Sequence, residues 1–235
     1  MIRRMSPMRI PSALLAALLS ALALNCAAQP FAVRLGTEKI ALDAPPGFTD
    51  TTNLASPRLQ DFAENVNSPS NRILLFGLTD ADLRRFTLGD RLEVARFVMI
   101  ATPRALEQQR VTPDQFSAYA TDTLAGLGKP VQVSTDLVKY LESQPVGKSS
   151  LLEELRREPA AVSIMQAARL PPLPADTFWA RPKPQYLVST TTHMLVRSKV
   201  LQLSLFSLSE TGADLEWMRG ATLRWADELK RLNPR

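Results

Sequence analysis

Hydrophobic and polar residues alternate with a period of two along several stretches of the chain, which is the pattern of half-buried β-strands. Residues 31–48 hold two such runs around Gly36-Thr37-Glu38, and residues 186–209 hold two more around Arg197-Ser198-Lys199. Each pair predicts a β-hairpin, because a short turn between alternating runs joins antiparallel strands. Further strands are predicted at residues 72–79, 92–102, 131–135 and 160–170.

Three stretches repeat apolar residues every three or four positions and therefore predict amphipathic helices. One begins at Pro57 after a Ser56 cap, and another begins at Pro113 with a capping box formed by Thr112 and Gln115. The third occupies the last part of the chain, with Thr211 as its cap. Shorter helices are predicted at residues 136–143 and 150–158.

The order of these elements predicts an α+β fold. Hairpins and short connections favour a mainly antiparallel sheet, with the amphipathic helices packed on its faces. After a leader of 28 residues the chain has 207 of its 235 residues left, enough to form one sizeable core without disulfides or a metal. Residues 29–235 are therefore predicted to form a single α+β domain.

Residues 1–28 have the pattern of a secretory signal peptide. Arg3, Arg4 and Arg9 precede an apolar run of about a dozen residues, whereas a membrane-spanning helix needs about 20. The small residues that follow place cleavage between Ala28 and Gln29. The mature form is therefore expected to have no transmembrane span and to be periplasmic.

Cys26, the only cysteine, leaves a lipoprotein as the less favoured alternative. The bacterial lipobox requires Gly, Ala or Ser before the cysteine, whereas Asn25 stands there, which argues against a lipid anchor. Loss of the leader would remove all cysteine chemistry. It would also remove three of 28 basic residues and none of the 23 acidic ones, for a net charge of about +2, so no nucleic-acid partner is expected.

Three segments resemble known exported proteins. Residues 40–48 (IALDAPPGF), 196–207 (VRSKVLQLSLFS) and 214–229 (DLEWMRGATLRWADEL) are similar to the first strand, the last hairpin and the closing helix of PsbP-like and DcrB-like proteins. The resemblance implies a curved antiparallel sheet between helices. It also implies binding of protein partners rather than catalysis, and it transfers no set of functional residues.

Residues that could support catalysis or metal binding are few. His193 is the only histidine and lies in a predicted strand. Residues 146–150 imitate the end of a phosphate-binding loop, but Glu142 stands where the motif requires its first glycine. Asp80 and Asp82 have a calcium-like spacing, yet Arg84 replaces the next ligand, so a helix-capping turn is favoured. No cofactor and no metal are predicted.

Two regions are candidate partner-binding surfaces. The proline-rich loop at residues 171–185 contains Phe178 and Trp179 beside Arg181 and Lys183, a combination typical of interface anchors. The alternative is that this loop covers one end of the sheet and buries both aromatic rings. Trp217 lies off the centre of the apolar stripe of the last helix, so its ring is either exposed or packed against a wide sheet.

The sequence thus predicts a periplasmic, non-enzymatic binding or accessory protein of the cell envelope whose partner is unknown. Two alternatives remain open. One is a small exported hydrolase that uses carboxylates and His193, which requires His193 to border a cleft. The other is a carrier of an apolar ligand held between sheet and helices.

Overall fold

The computed structural model describes residues 30–89, 94–131, 136–171, 186–209 and 214–234. The strands are β1 (Phe31–Leu35), β2 (Glu38–Leu42), β3 (Phe48–Asp50), β4 (Asn71–Thr79), β5 (Arg96–Pro103), β6 (Ser149–Glu158), β7 (Ala161–Arg169), β8 (Tyr186–Val196) and β9 (Lys199–Ser209). The α-helices are α1 (Pro57–Val66), α2 (Asp80–Thr87), α3 (Pro113–Ala125), α4 (Leu137–Ser143) and α5 (Leu215–Leu232), and a 3₁₀ turn spans Arg104–Leu106.

Seven strands form one sheet in the order β3-β4-β5-β9-β8-β7-β6, and every neighbouring pair is antiparallel. Strands β1 and β2 form a separate hairpin. The predicted α+β class with a large antiparallel sheet is therefore confirmed, as are both predicted hairpins. No helix in the described ranges is long and apolar enough to span a bilayer.

One face of the sheet packs against α5 and the β1–β2 hairpin. Leu201, Leu203 and Leu205 alternate along β9 and point into the same buried cluster as Met218 and Trp225 of α5. The hairpin closes this core with a row of fully buried side chains, Leu35, Ile40 and Leu42. Helix α5 meets the sheet because its apolar residues recur at helical spacing.

The opposite face packs against α1 and α3. Phe62 of α1 lies edge-on to Phe76 and Phe97, with both pairs of ring centroids 5.2 Å apart, a favoured aromatic arrangement. Further along the sheet, Phe116 of α3 packs with Val200. The predicted capping box of α3 is present, with hydrogen bonds between Thr112 and Gln115 in both directions.

The prediction of a helix over residues 150–158 is wrong, because this stretch forms strand β6 at the edge of the sheet. Register shifts at Leu151/Glu153 and Glu154/Arg156 are β-bulges, which interrupt the alternation of a regular strand. Leu152 and Leu155 therefore both pack against the same core cluster, although residues three apart in a regular strand would point to opposite faces. Pairing with β7 decides the structure against local preference.

Charged side chains attach α5 to this edge strand. Arg156 of β6 donates to both carboxylate oxygens of Asp227, at 2.6 and 3.1 Å, and Lys230 lies 3.3 Å from Glu158. Bulges and charges on an edge strand also disfavour pairing with a strand from another molecule.

The helical spacing of α3 predicts Thr123 on the same stripe as Phe116, but Thr123 is exposed because α3 contacts the sheet through Phe116 and Ala120. The strand at 131–135, apart from Val131, and the Thr211 cap lie outside the described residues.

Candidate binding cleft at the turn end of the sheet

A cleft of about 840 Å³ lies at the end of the sheet where three turns meet. It is bounded by the β1–β2 hairpin at Glu38, the β6–β7 turn at Pro159, and the β8–β9 turn at Arg197. The start of α3 and the end of α5 complete its walls. Its residues come from five separate parts of the sequence, which only the fold brings together.

The rim of the cleft carries charges of both signs. Arg110 lies 2.7 Å from Glu38, and Lys230 lies 3.3 Å from Glu158. The cation of each pair is exposed, so each pair contributes little to stability and can open at little cost. Arg197 is also exposed and has no carboxylate partner among the described residues.

The floor of the cleft is apolar. Val111, Ala161, Met194 and Val196 all line it and are all buried. A charged rim above an apolar floor can hold a ligand by its polar groups while covering its apolar parts, which is the usual division of roles in binding sites.

The β8–β9 turn has an unusual backbone. Arg197 and Ser198 have φ values of 48° and 61°, and both are non-glycine residues in the left-handed region. Since Val196 pairs with Lys199 across a two-residue loop, positive φ at both positions identifies a type I′ turn, which favours Asn-Gly. Arg197 donates to the carbonyl of Lys39 at 3.2 Å, and Val111 N–H donates to the carbonyl of Ser198 at 2.9 Å.

A buried lysine fixes the segment that leads to Arg110. The side chain of Lys199 is 1% exposed, and its Nζ donates to the carbonyls of Glu107 at 3.0 Å and Gln109 at 2.7 Å. Gly36 allows this approach, because a Cβ there would lie 2.9 Å from Nζ. Lys199 thus joins the first hairpin, the last hairpin and the segment before α3 on one side of the cleft.

Asn233 fixes the opposite side. Its Oδ1 accepts from Ala41 N–H at 2.8 Å, and its Nδ2 donates to the Ala41 carbonyl at 2.8 Å. Because Asn233 directly follows α5, these two bonds hold the end of the helix, and with it Lys230, beside β2.

His193 does not line this cleft. It is 4% exposed, and its Nδ1 lies 3.3 Å from the hydroxyl of Tyr119 on α3. Burial lowers the pKa of His193 to about 4, so the ring is neutral at pH 7, and burial raises the pKa of Tyr119. The contact between Tyr119 and His193 joins α3 to β8 of the sheet.

Trp217 is half-buried and held by two neighbours. Its ring stacks on Phe48 with 6.5 Å between centroids, and the guanidinium carbon of Arg96 lies 4.1 Å from its centroid, a cation–π distance. Arg96 is itself paired with Asp214 at 2.6 Å. The role of Trp217 in partner binding stays a prediction.

The other candidate residues divide between two outcomes. Phe178, Trp179, Arg181 and Lys183 lie outside the described residues, as do Cys26 and the cleavage position Ala28–Gln29. Asp80 and Asp82 lie in the first turn of α2, where Thr79 caps the helix and bonds Asp82. Within the described ranges no three His, Cys, Asp or Glu side chains cluster as metal ligands.

The sequence patterns do not indicate the cleft residues Arg110, Arg197, Lys230, Glu38 and Glu158. One local signal was available, since Arg-Ser occupies a two-residue hairpin loop where Asn-Gly is the usual choice. The other cleft residues have no local signal in the sequence, because they are far apart in the chain.

No protein-family model matches this chain, and no curated protein matches it. Two solved structures overlap with it. The Ran-binding protein Mog1p of Saccharomyces cerevisiae is 11% identical, with 87% of this chain and 94% of that chain covered and a TM-score of 0.38. A point mutant of protein Mog1 is 12% identical, with 86% and 94% covered and a TM-score of 0.39. Neither overlap assigns this chain a fold family or a partner.

The resemblance to PsbP-like and DcrB-like proteins is wrong. The structures that overlap are Mog1 proteins, and no family model matches. The physical reason lies in the residues that carried the resemblance. Ile40, Leu42 and Phe48 are buried core residues, and Gly47 has a φ of 86° in a turn. Such residues are needed wherever a hairpin packs on a sheet, so they do not distinguish families.

Proposed function

We propose that this chain is an exported, periplasmic binding or accessory protein of the cell envelope, without catalytic activity of its own, and that the cleft is its binding surface. The observation that carries the proposal is the cleft itself, where a charged rim surrounds a buried apolar floor. Among the described residues its lining includes no histidine or cysteine. Such a surface favours recognition over bond-breaking chemistry.

The hydrolase alternative finds less support. A general base must reach its substrate within hydrogen-bond distance or through one water. His193 is buried away from the cleft, and Tyr119 is its hydrogen-bond partner. The neutral ring is therefore explained by its position between α3 and the sheet, without a catalytic role.

The carrier alternative has one supporting observation. A depression of about 320 Å³ lies beside α1, with Leu59, Ala63 and Phe76 on its apolar side. It is at the lower limit of ligand pockets, which is about 300 Å³. Gln60 and Glu64 also line it, so an apolar ligand would leave polar groups covered. Native mass spectrometry of the mature chain would reveal a copurified lipid as added mass.

Export is tested by intact mass and cell fractionation. We expect a periplasmic chain that begins at Gln29, because Ala28 ends the small-residue cleavage pattern. A diacylated chain that begins at Cys26, or a full-length chain retained in the cytoplasm, would overturn the periplasmic proposal.

Binding through the cleft is tested by site-specific photocrosslinking in cells. A photoreactive residue replaces Ser198 on the rim, and in a control chain it replaces Leu88, which is 81% exposed and does not line the cleft. We expect defined crosslinked products from position 198 and none of these from position 88. Identical products from both positions would overturn the assignment of the binding surface.

A further inference from the structure

We propose that the cleft binds an extended, carboxylate-rich segment of a partner polypeptide. The inference rests on the proposed function, in that it takes the cleft to be a binding surface. It is carried by three cations that we call the basic rim: Arg197, which lines the cleft, and Arg34 and Lys39, which lie on the adjoining β1–β2 hairpin.

Two members of the basic rim form an unfavourable pair. Arg34 and Lys39 lie directly opposite each other on β1 and β2, and both are exposed. Like charges at opposite positions of an antiparallel pair destabilise it, and a carboxylate placed between them would remove the repulsion. Among the described residues, neither has a carboxylate partner of its own.

Other cations at this end of the molecule do have carboxylate partners. Arg110 pairs with Glu38, Lys230 pairs with Glu158, and Arg156 pairs with Asp227. The basic rim is thus the part of the cleft's surroundings where positive charge is left uncompensated by the described carboxylates. Charge complementarity therefore points to an anionic occupant.

Arg197 connects the basic rim with the cleft. Its Nη1 donates to the carbonyl of Lys39, and the residue itself lines the cleft. That single bond leaves most of the guanidinium's five N–H donors available for a carboxylate. The residue occupies a left-handed position that Asn or Gly would fill with less strain, and backbone strain of this kind clusters at functional sites.

The shape of the cleft favours a polypeptide over a membrane surface. A bilayer surface cannot enter a concave site of about 840 Å³, whereas an extended chain can. Its side chains alternate in direction, so acidic ones can face the basic rim while apolar ones cover Val111 and Met194 on the floor. The exposed large apolar residues Leu54, Leu88 and Val146 do not line the cleft.

Recognition is expected through side chains rather than by strand addition. Two backbone carbonyls at the cleft are already bonded, since that of Ser198 accepts from Val111 N–H and that of Ala160 accepts from Leu195 N–H. A ligand therefore gains little from the backbone and more from the guanidinium and ammonium groups of the basic rim.

The test is a fluorescence anisotropy titration of the mature chain with a labelled peptide in which Glu alternates with Leu. The control peptide replaces every Glu with Gln. We expect the acidic peptide to bind roughly tenfold or more tightly, since hydrogen bonds to charged groups are the stronger ones. We also expect its affinity to fall as salt rises from about 0.05 to about 0.5 M.

Two variants identify the residue responsible. Arg197→Asn should weaken binding of the acidic peptide roughly tenfold, while the fold is retained because Asn suits the turn. Arg85→Gln removes an equal charge from exposed α2 and should change nothing, which separates a local contact from net charge.

Equal affinity for the Glu and Gln peptides, or equal binding by wild type and Arg197→Asn, would overturn this inference. Binding to vesicles of anionic phospholipid with the same dependence on Arg197, and none to the acidic peptide, would also overturn it in favour of a membrane surface. These outcomes leave crosslinking from position 198 intact. If the proposed function itself fails, positions 198 and 88 will give the same crosslinked products.

Discussion

The hydroxyl of Tyr119 lies 3.3 Å from Nδ1 of His193, which joins α3 to β8 across the sheet. Burial keeps the imidazole unprotonated at pH 7, and the phenol keeps its proton. The phenol can therefore donate to the unprotonated Nδ1. This contact belongs to the folded core, and the burial of His193 there makes the stability of the protein dependent on pH.

Stability is expected to fall as the pH falls below about 6.5. The pKa of His193 is about 4 in the folded state against 6.5 ordinarily, so between these values the unfolded chain binds a proton that the folded chain does not. The full effect is about 3 kcal/mol and is reached at about pH 4. Urea unfolding at several pH values measures it, with His193→Gln as the control. If the free energy of unfolding depended on pH equally in the two proteins, His193 would not be the cause of the pH dependence.

Ser198→Gly is expected to stabilise the protein by about 1 kcal/mol, because glycine adopts a positive φ without a Cβ penalty. Ser198 has a φ of 61°. The matched change is Gly36→Ala, which should destabilise, since Gly36 has a φ of 55° and its Cβ would crowd Lys199 Nζ. Both are measured as free energies of unfolding, and a destabilised Ser198→Gly would show that the turn is not strained.

Lys199→Met is expected to cost about 1–3 kcal/mol of stability, because it leaves the carbonyls of Glu107 and Gln109 without their donor. The control is Lys39→Met, on the neighbouring hairpin but exposed, where the change should stay within about 0.5 kcal/mol. Chemical denaturation measures both. A neutral Lys199→Met would mean that the segment before α3 does not depend on this ammonium.

Trp217→Ala is expected to cost about 2 kcal/mol, less than a fully buried tryptophan, because its ring is half-buried between Phe48 and Arg96. Trp217→Phe should recover much of the loss, since stacking on Phe48 is retained. A loss below about 0.5 kcal/mol for Trp217→Ala would show that the ring is free for a partner.

Local signals in the sequence were sufficient for much of the fold. The Gly36-Thr37 turn, the Ser56 cap and the capping box of α3 each act within a few residues, and each is present as predicted. Strand β6 was not predictable in the same way, because its bulges bring both Leu152 and Leu155 against the core, and a separation of three residues is a helical spacing. Only its pairing with β7 makes it a strand.

The cleft also could not be predicted from the sequence. Glu38, Arg110 and Lys230 meet at one rim although they are far apart along the chain. Charged residues at such separations give no pattern in a sequence window. Their proximity depends on tertiary contacts such as that of Lys199 with the Gln109 carbonyl.

The pair of hydrogen bonds between Asn233 and Ala41 joins positions 192 residues apart. Strand β5 likewise pairs with β9, so the middle of the sheet also requires residues that are synthesised late. Synthesis starts at the N-terminus, so the first hairpin cannot make its contacts with Asn233 until nearly the whole chain has been synthesised. High contact order of this kind slows folding. The contacts between the first hairpin and the end of α5 therefore cannot form until the last residues of the chain are available.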